Sequence, residues 1–142
     1  ARRYGPSAMR RSSVLVPALF AGWTAYVWGT RVHNAWNDVG LDTYQQVWAT
    51  ALAASFLLPA LGMAWAACDA YRGRRSAIGV WSVRVLVCWT VIVWVVRIPQ
   101  IALADHSVGF IVVHVVLGLV SIFLAIATAA VLGSFRRSAD RR

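Results

Sequence analysis

Lysine and glutamate are absent from this 142-residue chain. All fourteen basic residues are therefore arginine, the five acidic residues are aspartate, and the formal net charge is +9. No aspartate falls in the middle of an apolar run, so the chain lacks the intramembrane carboxylate that a proton-coupled exporter needs. It also lacks a Ser-His-Asp or Cys-His constellation, a glycine-rich phosphate loop and paired membrane carboxylates. We therefore predict that the chain is not an enzyme.

Cysteine is scarce as well. The chain has two, Cys68 and Cys88, and they form neither a CxxC motif nor a metal-ligand spacing. Both fall within apolar runs, so we expect buried, reduced thiols that behave as small hydrophobic side chains. No metal site is predicted.

Apolar residues, by contrast, make up 60% of the chain, more than a soluble domain of this length can bury in one core. The surroundings are therefore predicted to be lipid. The arginines flank apolar runs and are not interleaved with aromatic residues in a polar domain, so we expect contacts with anionic phospholipids and none with nucleic acid. Arginine in place of lysine, with abundant alanine and valine, indicates a bacterium with a GC-rich genome.

Four apolar runs are each long enough to cross a bilayer, which takes about 20 helical residues. They cover residues 13–31, 47–69, 77–97 and 110–135. Strand crossings are about half as long and alternate apolar with polar residues, which these runs do not. We predict an all-α membrane protein with one transmembrane domain over residues 1–142, whose four helices form an antiparallel up-and-down bundle.

For the first run, a cleaved signal peptide is the alternative interpretation, because a basic segment precedes the run. The run contains Trp23, Tyr26 and Trp28, and it has no convincing small-residue cleavage site. We therefore interpret it as a membrane span.

The distribution of arginines predicts the orientation of the bundle. The two terminal tails and the connection over residues 70–76 hold most of them, whereas the other two connections hold only Arg31 and Arg97. Arginine-rich connections stay in the cytoplasm. We expect a multi-pass protein of the bacterial cytoplasmic (inner) membrane with both termini in the cytoplasm.

The ends of the spans carry turn and capping residues. Residues 37–40 have turn chemistry, and either Asp42 or Thr43 is suited to cap the second helix. Pro99 is predicted to end the third helix. Two further prolines fall inside spans, where they can kink a helix: Pro17 and Pro59.

Arg84 stands out because it lies inside the third apolar run, about 10 Å from the start of that helix. One interpretation is an arginine whose long side chain reaches back to the phosphates of the inner leaflet. The other is an arginine that faces the bundle or a partner subunit and pairs with a carboxylate or an anionic headgroup. Within the chain the nearest acid on that side is Asp69, so we predict an Asp69–Arg84 bridge that joins the second and third helices.

Around Arg84 we predict a surface that binds partners or lipids. It combines basic residues of the inner side with tryptophans of the third helix, whose wide aromatic faces suit lipid or a neighbouring protein. Its members are Arg84, Asp69, Trp81, Trp89, Arg72, Arg74 and Arg75.

The three histidines form a second candidate site. His33, His106 and His114 are all expected at the outer boundary of the membrane, where interfacial histidines are ordinary. Their shared level also permits a haem or metal site between helix ends, although no CxxCH motif is present. Asp105 next to His106 is an alternative proton-accepting pair. No cofactor is predicted on this evidence beyond that possibility of haem.

Small residues recur at helical spacing in two spans, and such stripes let helix backbones approach closely. We expect them to pack inside the bundle. They are Ala53, Ala60 and Ala64 in the second span, and Gly118, Ser121, Ala125 and Ala129 in the fourth.

From these patterns we hypothesise an integral-membrane accessory or scaffolding subunit of a larger membrane complex, so that its partners are other integral-membrane subunits. The first alternative is a small oligomeric transporter or flippase for an anionic lipid or metabolite, in which Arg84 and the inner arginines attract the headgroup. The second alternative is a haem- or quinone-linked electron-transfer subunit that uses the histidines. No motif in the chain identifies a family.

Overall fold

The computed structural model describes residues 6–72 and 77–139. These residues form four α-helices, and each extends at one end or both beyond the apolar run that predicted it. In chain order the helices are α1 (Pro6–Asn37), α2 (Thr43–Tyr71), α3 (Ala77–Leu103) and α4 (Val108–Ala139). The predicted all-α fold is confirmed.

Polar side chains set the boundary between α1 and α2. Asp38 Oδ1 accepts a hydrogen bond from the backbone N–H of Gly40 at 2.9 Å, which closes the turn after α1. Asp42 Oδ1 accepts from the N–H of Gln45 at 2.8 Å, while Gln45 Oε1 accepts from the N–H of Asp42 at 3.1 Å. This reciprocal pair is a capping box. The predicted turn and cap are thus confirmed, with Asp42 as the cap of α2.

Each helix packs against two others: α1 and α3 both contact α2 and α4. The residues that meet across these contacts run in opposite chain directions, so neighbouring helices are antiparallel. Three tryptophan indoles donate hydrogen bonds from one helix to another: Trp36 Nε1 to Thr50 Oγ1 at 2.9 Å, Trp89 Nε1 to Ser55 Oγ at 2.9 Å, and Trp23 Nε1 to Ser121 Oγ at 3.0 Å.

The bundle has two ends, which we name by a residue at each. The Asp38 end contains the connections over residues 38–42 and 104–107, and the Arg72 end contains the connection between α2 and α3. Ser107 caps α4 at the Asp38 end, where its hydroxyl accepts from the N–H of Phe110 at 3.4 Å.

Aromatic rings and small side chains fill the centre of the bundle. Trp28 of α1 stacks on Phe56 of α2 with ring centroids 4.0 Å apart, and Phe20 and Leu86 are fully buried beside them. Most of the predicted small-residue stripes are buried too, which confirms their role in internal packing. The buried members are Ala53, Ala60, Gly118, Ser121 and Ala125, whereas Ala64 and Ala129 are exposed.

Gly118 determines how closely α3 and α4 approach. A Cβ atom at this position would lie 2.6 Å from the Trp94 ring and 2.8 Å from the Ile98 side chain. Gly62 likewise allows α2 and α3 to approach closely, because a Cβ atom there would collide with the Ser82 side chain. These contacts need a residue without a side chain.

The outside of the bundle is as apolar as its inside. Three helical segments are long and apolar enough to cross a membrane: Thr43–Ala66, Ala77–Leu103 and Val108–Val131. Only 28%, 28% and 17% of their most apolar windows are buried within the bundle. Apolar side chains that face outward along whole helices need lipid around them. The chain is therefore a helical membrane protein.

The described part of α1 is not among these three segments. Its sequence explains the difference, because glycine, threonine, tyrosine and tryptophan alternate with its aliphatic residues. These residues lower the mean hydropathy of the helix without adding charge between residues 14 and 30.

Two predictions about helix ends and buried faces were wrong. Pro99 does not end the third helix, since α3 continues to Leu103; prolines are tolerated inside membrane-spanning helices, where neighbouring groups can satisfy the freed backbone carbonyl. Cys68 and Cys88 are free thiols, as expected, but both are exposed and not buried. In helices that are apolar all round, an apolar neighbourhood in sequence does not identify the inward face.

Candidate functional site

Arg84 lies on the exposed side of α3. Its guanidinium carbon is 5.4 Å from the centroid of the Trp81 ring, a cation–π contact between residues one helical turn apart. Neither Arg84 nor Asp69 takes part in an ion pair within the described residues, so the predicted bridge is not formed. Helical side chains lean toward the helix N-terminus. For Arg84 that direction is the Arg72 end of the bundle.

Arg84 belongs to a continuous exposed face of α3. The members recur at intervals of three and four residues, which places them on one side of the helix. We call them the α3 outer face: Trp81, Arg84, Val85, Cys88, Ile92 and Val95, all exposed. Arg84 is the one charged residue of this face.

The other predicted members of the partner surface are not all on this face. Trp89 turns inward: its indole donates to Ser55 of α2, and its ring lies 6.1 Å from that of Phe56. Arg72 is exposed at the end of α2. Arg74 and Arg75 lie outside the described residues.

A groove of about 980 Å³ separates α1 from α2 in the half of the bundle toward Arg72. Small residues on both helices create this space, and among the described residues that line it Arg72 is the only charged one. The apolar part of the lining includes Ala18, Gly22, Ala25, Leu61 and Ala64.

The histidines fall into two separate contacts. His106 and His114 flank the Phe110 ring, with centroid separations of 4.5 and 3.9 Å, and His114 Nδ1–H donates to the Phe110 carbonyl at 2.8 Å. His33 instead contacts Asn37, whose Nδ2 donates to the His33 carbonyl at 2.7 Å. The described residues contain no group of three or more His, Cys, Asp or Glu side chains that could hold a metal ion. Asp105 is exposed in the connection before α4.

Sequence reasoning missed one pairing. Arg31 of α1 and Arg97 of α3 line the same small pocket near the Asp38 end, although the two helices are not sequence neighbours. In the sequence both residues were read only as charges of the outer connections. The sequence contained no signal of this pairing, because the predicted spans ended at these two arginines, whereas α1 and α3 each continue for about 9 Å beyond them.

No protein-family model matches the chain, and the comparisons with characterised proteins and with solved structures found no match.

Proposed function

We propose that the protein is a non-catalytic integral-membrane subunit that packs against another membrane protein through the α3 outer face. The observation that supports this most directly is Arg84, an exposed charge inside a membrane-spanning helix with no carboxylate partner among the described residues. A guanidinium at this depth is costly unless it is paired or reaches the headgroups. A carboxylate on a helix of a partner subunit would provide the pair.

The remainder of the face suits such a partner. Trp81 is 63% exposed and Ile92 is 55% exposed, although each could have been turned inward. In a membrane, apolar exposure alone does not distinguish lipid from protein. Tryptophan and arginine side by side do favour protein, because these residues dominate the binding energy of interfaces.

All four helices cross the membrane in this proposal, including α1. The 32 residues of α1 span about 48 Å, well above the roughly 30 Å of a bilayer core. α1 also packs along α2 and α4 and contributes the buried Phe20 and Trp28. Because α1 packs along helices that span the membrane, we expect it to span the membrane with them.

In this proposal both termini and the Arg72 end lie in the cytoplasm of a bacterial inner membrane; the arginine-rich tails and the connection after α2 favour that orientation. The Asp38 end then faces outward. This orientation puts Arg84, which leans toward the Arg72 end, within reach of the inner leaflet as well as of a partner's carboxylate.

Cys88 allows the proposal to be tested at the α3 outer face itself. With Cys68→Ser as background, Cys88 is the single thiol, and a photoactivatable maleimide attached there should crosslink the partner in native membranes. We expect one adduct of defined mass, reduced at least fivefold by Arg84→Ala and partly restored by Arg84→Lys.

Cys68 supplies the matched control. In a Cys88→Ser background the same reagent on α2 should give an adduct pattern that does not respond to Arg84→Ala. The proposal fails if the chain purifies in mild detergent without a stoichiometric partner, or if Arg84→Ala leaves the Cys88 adduct unchanged.

A second candidate function is a carrier or flippase for an anionic lipid, and the groove between α1 and α2 favours it. The groove is apolar along its length and has Arg72 at one end, as an acyl chain with an anionic headgroup would require. Leu61 lines the groove and is 67% exposed, whereas Leu58 is 69% exposed but does not line it.

These two leucines make a matched pair for a transport assay. In liposomes, Leu61→Trp should block translocation of fluorescent phosphatidylglycerol at least fivefold, while Leu58→Trp should not. Equal rates for both variants, or no protein-dependent translocation, would exclude the carrier.

A further inference from the structure

The pocket shared by Arg31 and Arg97 has a volume of about 220 Å³. It lies where α1 and α3 flank the first turns of α2. Arg97 is half-buried, and Arg31 is exposed. Two like charges that line one pocket repel each other, the more so because one of them is on a half-buried side chain, so the arrangement is unfavourable unless an anion joins them.

Three described carboxylates lie near this end of the bundle: two accept hydrogen bonds in the turn and the cap, and the third, Asp105, is exposed in the connection before α4. Asp38 holds the turn at Gly40, and Asp42 caps α2 through Gln45. Among the described residues, no carboxylate forms an ion pair with Arg31 or Arg97. Within residues 6–72 and 77–139, the two guanidinium groups of this pocket therefore have no paired counter-charge.

The remaining polar lining consists mainly of donors. The side-chain carbonyl oxygen of Gln45 accepts from the backbone N–H of Asp42, which leaves its amide N–H₂ group free to donate. The indole N–H of Trp48 and the hydroxyl of Tyr44 belong to the same lining, and Leu52 supplies an apolar part. A site rich in donors and poor in acceptors suits an oxyanion.

We propose that this pocket binds a phosphate group, with Arg31 and Arg97 as its two guanidinium clamps. A phosphate has several oxygens in a tetrahedral arrangement. It can therefore accept hydrogen bonds from two planar guanidinium groups that approach from different helices. The two arginines of the pocket lie about 9 Å inside the ends of α1 and α3, and the exposed Tyr44 and Trp48 that line the pocket are aromatic residues of the kind typical of headgroup depth. The phosphate comes either from a phospholipid headgroup or from a soluble phosphate compound.

This inference does not depend on the proposed partner at α3. Arg31 and Arg97 are not part of the α3 outer face, and neither residue lines the groove between α1 and α2. Crosslinking at Cys88 and phosphate binding at this pocket can therefore succeed or fail separately.

The test uses the full chain in delipidated detergent micelles with two probes, dioctanoyl phosphatidylglycerol and inorganic phosphate, each followed by titration calorimetry. We compare the wild type with the double variant Arg31→Gln/Arg97→Gln. The control, called the tail variant, is Arg136→Gln/Arg137→Gln, which removes the same charge from the C-terminal end of α4. For at least one probe we expect saturable one-to-one binding that weakens at least tenfold in the pocket variant and less than twofold in the control.

The two probes distinguish the two sources of the phosphate group, a phospholipid headgroup and a soluble phosphate compound. Binding of phosphatidylglycerol alone identifies a lipid headgroup, and binding of inorganic phosphate identifies a soluble phosphate compound. The proposal is overturned if neither probe binds the wild type, or if the pocket variant binds as the wild type does. It is also overturned if the tail variant loses as much affinity as the pocket variant, since net charge would then explain the binding. Thermal melting without ligand checks folding: the pocket variant should melt no lower than the wild type, because the substitution removes a repulsion.

Discussion

The guanidinium group of Arg84 lies over the ring of Trp81, 5.4 Å from its centroid, on an exposed face of a membrane-spanning helix. The ring holds the cation at the surface of the bundle without neutralising its charge. The pair therefore presents a positive charge and a large apolar surface together, which is the combination that a partner helix with one carboxylate would recognise.

Trp81 should contribute to partner binding in addition to Arg84. We expect Trp81→Leu to lower the yield of the Cys88 crosslink about two- to fivefold, because it removes the cation–π contact and part of the interface area. Trp81→Phe, which keeps an aromatic ring, should lower the crosslink yield less than Trp81→Leu does. Quantitative mass spectrometry of the adduct measures both, and a Trp81→Leu yield equal to the wild type would remove Trp81 from the interface.

Gly118 should tolerate no side chain. Gly118→Ala places a methyl group against Trp94 and Ile98, and overpacking of this kind costs about 1–3 kcal/mol. Gly29 provides the control, since a Cβ there meets no atom within 4 Å and alanine favours helix by about 0.5–1 kcal/mol. Thermal melting in detergent should show a lower midpoint for Gly118→Ala and an unchanged or higher one for Gly29→Ala. Equal midpoints would contradict the close approach of α3 and α4.

The interior contains hydroxyl groups without partners among the described residues, namely those of Thr90 and Thr128. Both side chains are almost completely buried. Replacing an unpaired buried hydroxyl by a methyl group of similar shape should stabilise the protein by about 1 kcal/mol. Thr90→Val and Thr128→Val should therefore each raise the melting midpoint.

Ser121→Ala should act in the opposite direction. This hydroxyl accepts from the indole of Trp23, so its removal leaves a part-buried donor unpaired and costs about 1 kcal/mol or more. A lower midpoint for both valine variants would show that the two threonine hydroxyls are hydrogen-bonded after all.

The capping box at the start of α2 should contribute about 1 kcal/mol to the free energy of unfolding. Asp42→Ala removes the acceptor for the N–H of Gln45 and should lower the melting midpoint. Asp42→Asn keeps an oxygen in place and should retain most of the stability, which separates the cap from the charge of the aspartate. Equal losses in the two variants would assign the effect to charge.

The sequence was sufficient for the helices and for the turn between α1 and α2. Long apolar runs and the Asp42 cap depend only on residues that are close in sequence, so they can be recognised without knowing the tertiary structure. The inward faces were not predictable in the same way, because α2, α3 and α4 are apolar on every side and have no polar stripe to mark their exposed surface. For this reason Trp89 was placed on the partner surface although it packs against α2, and Cys88 was expected to be buried.

The pairing of Arg31 with Arg97 depends on tertiary structure. The two residues are separated by most of the chain and belong to helices that are not adjacent in sequence, so only the arrangement of the bundle brings them to one pocket. Arg84 differs, since its depth within an apolar run is visible in the sequence. What the sequence could not show is that the side chain faces outward and that Asp69 does not pair with it.

The central claim is that this chain crosses the membrane four times with both ends in the cytoplasm, and cysteine labelling of intact cells tests it most directly. In a Cys68→Ser/Cys88→Ser background, Val39→Cys lies in the fully exposed connection after α1, and Ser7→Cys lies near the opposite end of that helix. We predict that a membrane-impermeant maleimide labels Val39→Cys in intact cells and labels Ser7→Cys only after lysis. Labelling of both positions from the same side of the membrane would contradict the account.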